Sequence, residues 1–260
     1  MDSLQLYRRY TAISIRAQLT YRATFALKTV GHMLVTAIEF LGIWALFSRF
    51  GTLGGWSLRD VALIYGMADI AFALADAVGR GFDQFGTLLK AGDFDRLLLR
   101  PRSTVLQLLG HELQLMRIGR LSQGIVVLAW ASGGIAWRAG SVLLLALSIA
   151  GTACLFVGLV VLQATSCFWT IETLEVWNAF TYGGNYAGQY PMAIYRPWFR
   201  RFFTAIVPLA LTSYYPARAI LGRAPLDVWH LLAPLAGPAF LAASFGAWRI
   251  GVRHHASTGS

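Results

Sequence analysis

The sequence predicts an all-α integral membrane protein, with an amino-terminal interfacial helix and six transmembrane helices forming a single domain over residues 1–260. Two observations of composition carry this. The chain is 57% hydrophobic and 13% charged with a mean hydropathy of +0.56, whereas a soluble domain usually carries about 25% charged residues. At about 20 apolar residues per crossing, its length holds about six helices and leaves no room for a large water-soluble domain. The third observation is where the basic residues fall. With the amino terminus inside, seventeen lie in segments on that side and five outside, the asymmetry expected of cytosolic loops. An even number of crossings puts both termini in the cytosol, and the placement is a cell inner (cytoplasmic) membrane, multi-pass.

Residues 1–22 read as the interfacial helix. Asp2, Gln5, Arg8, Arg9, Arg16 and Thr20 share one side of a helical wheel, with Leu6, Tyr10, Ile13, Ala17 and Tyr21 opposite. No continuous apolar run or small-residue cleavage site suggests a secretory signal there. Span one follows over 23–47, a glycine-rich turn over 51–56, and span two over 61–78. Residues 79–120 form a charged cytosolic region and the lead-in to span three, 121–135. Span four, 141–162, carries no charge. Residues 163–201 hold Glu172, Glu175, Asn178, Gly183, Gly184, Asn185 and Gln189 and end at Arg196, Arg200 and Arg201, so they read as an interfacial or cytosolic linker. Span five begins at Phe202 and is broken by Pro208 and Pro216, with 202–223 including an outer re-entrant segment. Span six covers 228–250, with Pro234 and Pro238 as kinks.

Much chemistry is excluded. There is no P-loop; Lys28 and Lys90 are the two lysines and neither follows a glycine. No His-Glu-x-x-His, Cys-x-x-Cys or Gly-x-Ser-x-Gly occurs, so nothing argues for catalysis. The basic residues do not form one run, which removes nucleic acid as a partner. Cys154 and Cys167 give no disulfide framework. His32, His111 and His230 are isolated, and no metal site is expected. Most tryptophans, including Trp56, Trp137, Trp198, Trp229 and Trp248, flank spans and suggest an interfacial belt. Gly151 and Gly158 suit close helix packing or face lipid.

Glu39, Asp69 and Asp76 fall inside spans. A carboxylate at mid-bilayer costs roughly 2.5–3.5 kcal/mol on insertion scales, so each should meet a polar cavity, a partner helix or an interface. Their candidate roles are lining a substrate path or locking helices together. Asp69, Phe72 and Asp76 share one helix face.

The densest charge lies in Gly92-Asp93-Phe94-Asp95-Arg96-Leu97-Leu98-Leu99-Arg100-Pro101-Arg102, preceded by Gly81-Phe82-Asp83-Gln84-Phe85. A short helix carrying Asp93, Asp95 and Arg96 beside Phe94 and Leu97 offers an apolar anchor ringed by charge, a pattern suited to a small protein contact. This stretch resembles the cytosolic signature of the six-helix permeases of type 2 ABC exporters, in the subfamily similar to antibiotic-resistance permeases. Tyr190-Pro191, Tyr214-Tyr215-Pro216-Ala217 and the terminal Ser257-Thr258-Gly259-Ser260 support the likeness. The resemblance implies a type 2 ABC exporter-like fold and a permease that is not itself an enzyme. Phe82, Asp83, Asp93, Phe94, Asp95, Arg96, Leu97, Arg100 and Pro101 would then couple it to separate ATPase subunits, two copies of which bind ATP and Mg. No cofactor is implied in this chain. A second permease, identical or homologous, and membrane lipid complete the implied partners. Two other classes fit the residues: a non-transporting membrane sensor or assembly factor that binds a soluble ATPase, and an intramembrane enzyme using Asp69 and Asp76 as a carboxylate pair.

Overall fold

The computed structural model describes residues 3–170 and 174–255. Asp2, Glu172 and the 257–260 tail lie outside them, as do the side chains of Leu6, Arg8 and Glu175. Among the described residues regular structure is helical, apart from one Leu53–Trp56 bridge. Helices α1 (Ser3–Thr20), α2 (Arg22–Phe50) and α3 (Leu58–Asp83) are followed by three six-residue helices, α4 (Phe85–Lys90), α5 (Asp93–Leu98) and α6 (Thr104–Leu109). Then come α7 (Ile118–Ser132), α8 (Ala139–Ser166), α9 (Leu174–Gly188), α10 (Pro197–Ala205), α11 (Tyr215–Ile220), α12 (Val228–Leu232) and α13 (Ala236–His254). Among the described residues, four continuous helical stretches are long and apolar enough to cross a membrane: Arg22–Phe50, Leu58–Lys90, Ala139–Ser166 and Val228–His254.

The core is built on α3. Its residues from Val61 to Ala73 are buried without interruption, because α7, α8 and α9 pack around it. By contrast α2 exposes Leu34, Val35, Ile38, Leu41 and Trp44, the surface that lipid or another protein would cover. The hydrophobic effect gives little drive between helices in lipid, so small residues that let backbones approach matter more. Gly66 lies against Leu128, and Gly124 against Ile70 and Asp69, bringing α3 and α7 together antiparallel. The α8–α13 seam repeats every seven residues. Gly151 meets Pro234 and Gly237, Gly158 meets Phe240 and Ser244, and Thr165 meets Gly251. Gly151 and Gly158 are therefore packing residues, not lipid-facing fillers. Pro234 sits in a 3-10 turn and Pro238 in the first turn of α13, where a missing N–H costs little.

At one end of the bundle the 51–56 turn uses positive φ at Gly51, Gly54 and Gly55. Ser57 and Asp60 form a reciprocal capping box that starts α3. Arg223 closes this end, its Nη2 donating to Gly55 O (2.9 Å) and Asp60 Oδ2 (2.6 Å) while the guanidinium lies 4.3 Å from the Trp56 ring centre. Asp227 caps α12; the N–H and ring of His230 hold its carboxyl below the usual range.

The linker expected over 163–201 is largely helical. Asn185 of α9 and Gln189 just after it face the interior and are buried, while Val176 and Tyr186 of α9 are exposed. These two polar residues therefore point into the protein, while Asn178 is exposed. Ile194 then rests on Gly54, so Arg196 stands at the 51–56 end, opposite the 81–102 segment and not beside it. From there α10 turns back along α9, Phe202 against Phe180 and Phe203 against Gly184. After Pro208, a π-helical turn and α11 return the chain to Trp56 through Tyr214. The segment read as a fifth span from Phe202 is thus a hairpin that enters and leaves at one end.

Candidate functional site

Two sets of residues from the sequence are brought together. The first is the knob formed by α4, α5 and α6 at the end opposite the glycine turn. Phe82, Phe85 and Phe94 are fully buried. Phe85 contacts Phe94 edge to face at 4.9 Å and Trp248 at 4.8 Å; Phe82 lies 5.1 Å from Trp248, and Phe168 completes the cluster. Trp248 Nε1 donates to Thr104 Oγ1 (3.1 Å). Trp56 and Trp248 are accordingly core residues and not part of an interfacial belt. Phe94 is also not an outward anchor: it roots α5 in the domain. Asp83 is turned in as well, bonded to Arg80 at 2.5 Å and accepting from Gln163 at 3.3 Å.

The outward side of the knob is made by other residues. Leu99 is 86% exposed and the Arg96 side chain 81%, with Leu98, Arg100, Pro101 and Arg102 also exposed. Leu97 is half-buried. Asp93 pairs with Arg96 at 3.2 Å. Gly92, at φ +72, begins α5, and Gln107 Nε2 donates to the carbonyls of Leu97 and Arg102, pinning the loop from beneath. The surface that points away from the protein is thus a pair of leucines ringed by arginines, displaced a few residues from the motif's aromatic.

His255 Nε2 lies 2.8 Å from Asp95 Oδ1 and its ring 5.1 Å from Phe94. The knob is thereby tied to α13 as well as α3. His255→Ala is expected to accelerate tryptic cleavage after Arg96, Arg100 or Arg102 by loosening α5; unchanged cleavage would show the contact to be idle. At the other flank α1 is stitched to the chain after α6. Ser14 Oγ accepts from Leu113 N (3.0 Å), Gln18 Oε1 accepts from Leu115 N (2.9 Å) and Gln18 Nε2 donates to Leu113 O. Both polar residues escaped the amphipathic reading of α1.

The second set is a ladder of buried charge between α3 and α7. Arg120 Nε lies 2.6 Å from Asp69 Oδ1, with Asp69 0% exposed, and Arg117 Nε lies 2.9 Å from Asp76 Oδ2. The Arg120 guanidinium stands 4.9 Å from the Phe72 ring centre, so the shared face of Asp69, Phe72 and Asp76 has one partner helix. Glu39 of α2 approaches the upper rung: its Oε2 is 3.7 Å from Arg120 Nη2, and its Oε1 accepts from Tyr186 Oη of α9 at 3.0 Å. Each Asp has its own arginine, so the two acids do not form a carboxylate pair of the kind an intramembrane enzyme would need. Sequence reading assigned Arg117 and Arg120 to the charged loop. The signal available was two acids on one span followed by two arginines at the start of the next, which membrane burial requires to be partners.

Among the described residues no group of three His, Cys, Asp or Glu side chains could hold a metal, and Cys154 and Cys167 are free. A helical bundle with spans of membrane length, an internal ion-pair ladder and a protruding charged knob defines a multi-span membrane protein. Residues 33–259 match the family described as ABC-2 family transporter protein, and the chain belongs to that family. Comparison with curated proteins and with solved structures returned no match. The family places the chain as the membrane permease component of an ABC transporter, whose context includes ATPase partners.

Proposed function

We propose that this chain is the permease subunit of an ATP-driven exporter that pairs with a second permease and is powered by two separate ATPase subunits through the 81–102 knob. In this reading α2, α3, α7, α8, α9 and α13 make six crossings, the fifth being α9, and α10–α11 form a re-entrant hairpin at the outer end. Helix α1 lies in the headgroup plane, and both termini and the knob are cytosolic in an inner membrane. With Arg196, Arg200 and Arg201 outside, the basic residues divide fourteen to eight, still favouring the knob side.

The observation that carries the reading is the construction of the knob. Its tip exposes Leu98, Leu99 and Arg96, while its root is an aromatic cluster shared by α3, α8 and α13. A partner pushing on such a tip moves a rigid body instead of bending a loop, and the motion reaches three crossings at once. Closure of paired ATPases would rock those crossings and switch access to the substrate path.

Arg96→Ala and Leu99→Asp are expected to leave membrane insertion intact and to lower ATP hydrolysis by the assembled complex at least about tenfold, since exposed anchors at a small interface dominate its binding. Substitution of Asp95 should reduce hydrolysis by freeing α5 from His255. Co-purification with the ATPase and its hydrolysis rate are the measurements. Normal rates in all three variants would count against a coupling role.

A further inference from the structure

Glu39 is the acid of the membrane core left without an arginine of its own. In the ladder, Arg117 serves Asp76 and Arg120 serves Asp69. The 3.7 Å between Glu39 Oε2 and Arg120 Nη2 exceeds hydrogen-bonding distance, and both atoms are buried without a hydrogen-bond partner. The Arg120 side chain is about nine-tenths buried and held by Asp69 and Phe72, so it cannot turn fully to Glu39. The nearest lysine or arginine residues along α2, Lys28 and Arg49, are eleven and ten positions away, about 15–16 Å along a helix. Three acids share two arginines, which leaves a net negative charge in surroundings where excess charge is costly.

Glu39 is also not sealed in. Its side chain is part-exposed, Tyr186 that donates to it is exposed, and Val35 and Ile38 beside it on α2 are exposed apolar residues. A carboxylate, a phenol ring and an aliphatic strip on one open surface match a molecule with a positive group and an apolar body. Carboxylate and ring face both attract a cation. The geometry points to Glu39 and Tyr186 as the recognition site for the cationic group of an amphipathic substrate whose apolar part lies along α2. This rests on the permease reading above and specifies its substrate class.

The test uses the assembled transporter with its ATPase in lipid nanodiscs and two probes of nearly equal shape, tetraphenylphosphonium and tetraphenylborate. The wild-type complex should bind the cation in preference to the anion. Glu39→Gln, which keeps the side chain's shape, should weaken cation binding at least about tenfold while leaving the anion unaffected, as expected for loss of a charged partner. Tyr186→Phe should produce a smaller loss in the same direction. Equal binding of the two ions by wild type, or unchanged cation binding by Glu39→Gln, overturns the site. Should Glu39→Gln fail to assemble, the wild-type preference still decides. A complex that hydrolyses ATP yet fails the ion test sinks the site alone, whereas failure to associate with any ATPase sinks the permease reading.

Discussion

Arg120→Ala will destabilise the protein by about 3–5 kcal/mol, the largest single-residue loss expected from the ladder. The substitution removes the guanidinium from a completely buried Asp69 and from the vicinity of Glu39, leaving two carboxylates in the apolar core with no counter-charge. It also strips the cation from the face of Phe72. Arg120→Lys should recover only part of the loss, because an ammonium has neither the fork that reaches Asp69 Oδ1 nor the plane that lies on Phe72. The double variant Asp69→Asn/Arg120→Gln should recover more than Arg120→Gln alone, since it leaves one uncompensated carboxylate, Glu39, instead of two, while Asp69→Asn alone keeps Arg120 beside Glu39. Thermal unfolding in nanodiscs measures all five variants. An Arg120→Ala protein as stable as wild type would show that water reaches the ladder and solvates it.

The fold class was legible because lipid burial demands long apolar runs, and α2, α3 and α8 contain them. The helix α9 was not, because hydropathy averages over all sides of a helix. Asn185 and Gln189 lower the average although they face the protein, while the exposed positions, Val176 and Tyr186, suit lipid or a partner. A window score has no access to that direction. The same blindness placed Arg196, Arg200 and Arg201 with the cytosolic charges: their side depends on whether α9 is counted as a crossing.

Within the site, the charged segment was legible as a surface device, but its polarity was not. Phe94 sits between two aspartates and an arginine, which in isolation reads as an anchor for a partner. In the structure it belongs to an aromatic cluster built from Phe82, Phe85, Phe168 and Trp248, residues separated by up to 166 positions in the sequence. Only tertiary contact reveals that the outward role passes to Leu98 and Leu99. The carboxylates were legible as anomalies, each requiring a partner. Their arginines stood in plain view but were absorbed into the count of cytosolic charge.

Gly237→Val will separate α8 from α13. A side chain at Gly237 would overlap the carbonyl of Gly151, and one at Gly151 would overlap that of Pro234; both obstacles are backbone, which cannot rotate out of the way. Overpacking at a site with no such freedom costs about 1–3 kcal/mol or more, and here the damage spreads along the seven-residue seam to Gly158 and Gly251. That seam holds Trp248 against the root of the knob, so the variant should lose coupled ATP hydrolysis as well as stability. Gly246 provides the control on the same helix: a Cβ there has nothing within 4 Å, and exchanging this glycine for alanine favours the helix by about 1 kcal/mol. Gly246→Ala should therefore be neutral or stabilising in thermal unfolding while Gly237→Val is severely impaired. Similar behaviour of the two would mean that α8 and α13 do not approach along their glycines, and that the knob is rooted in the bundle by α3 alone.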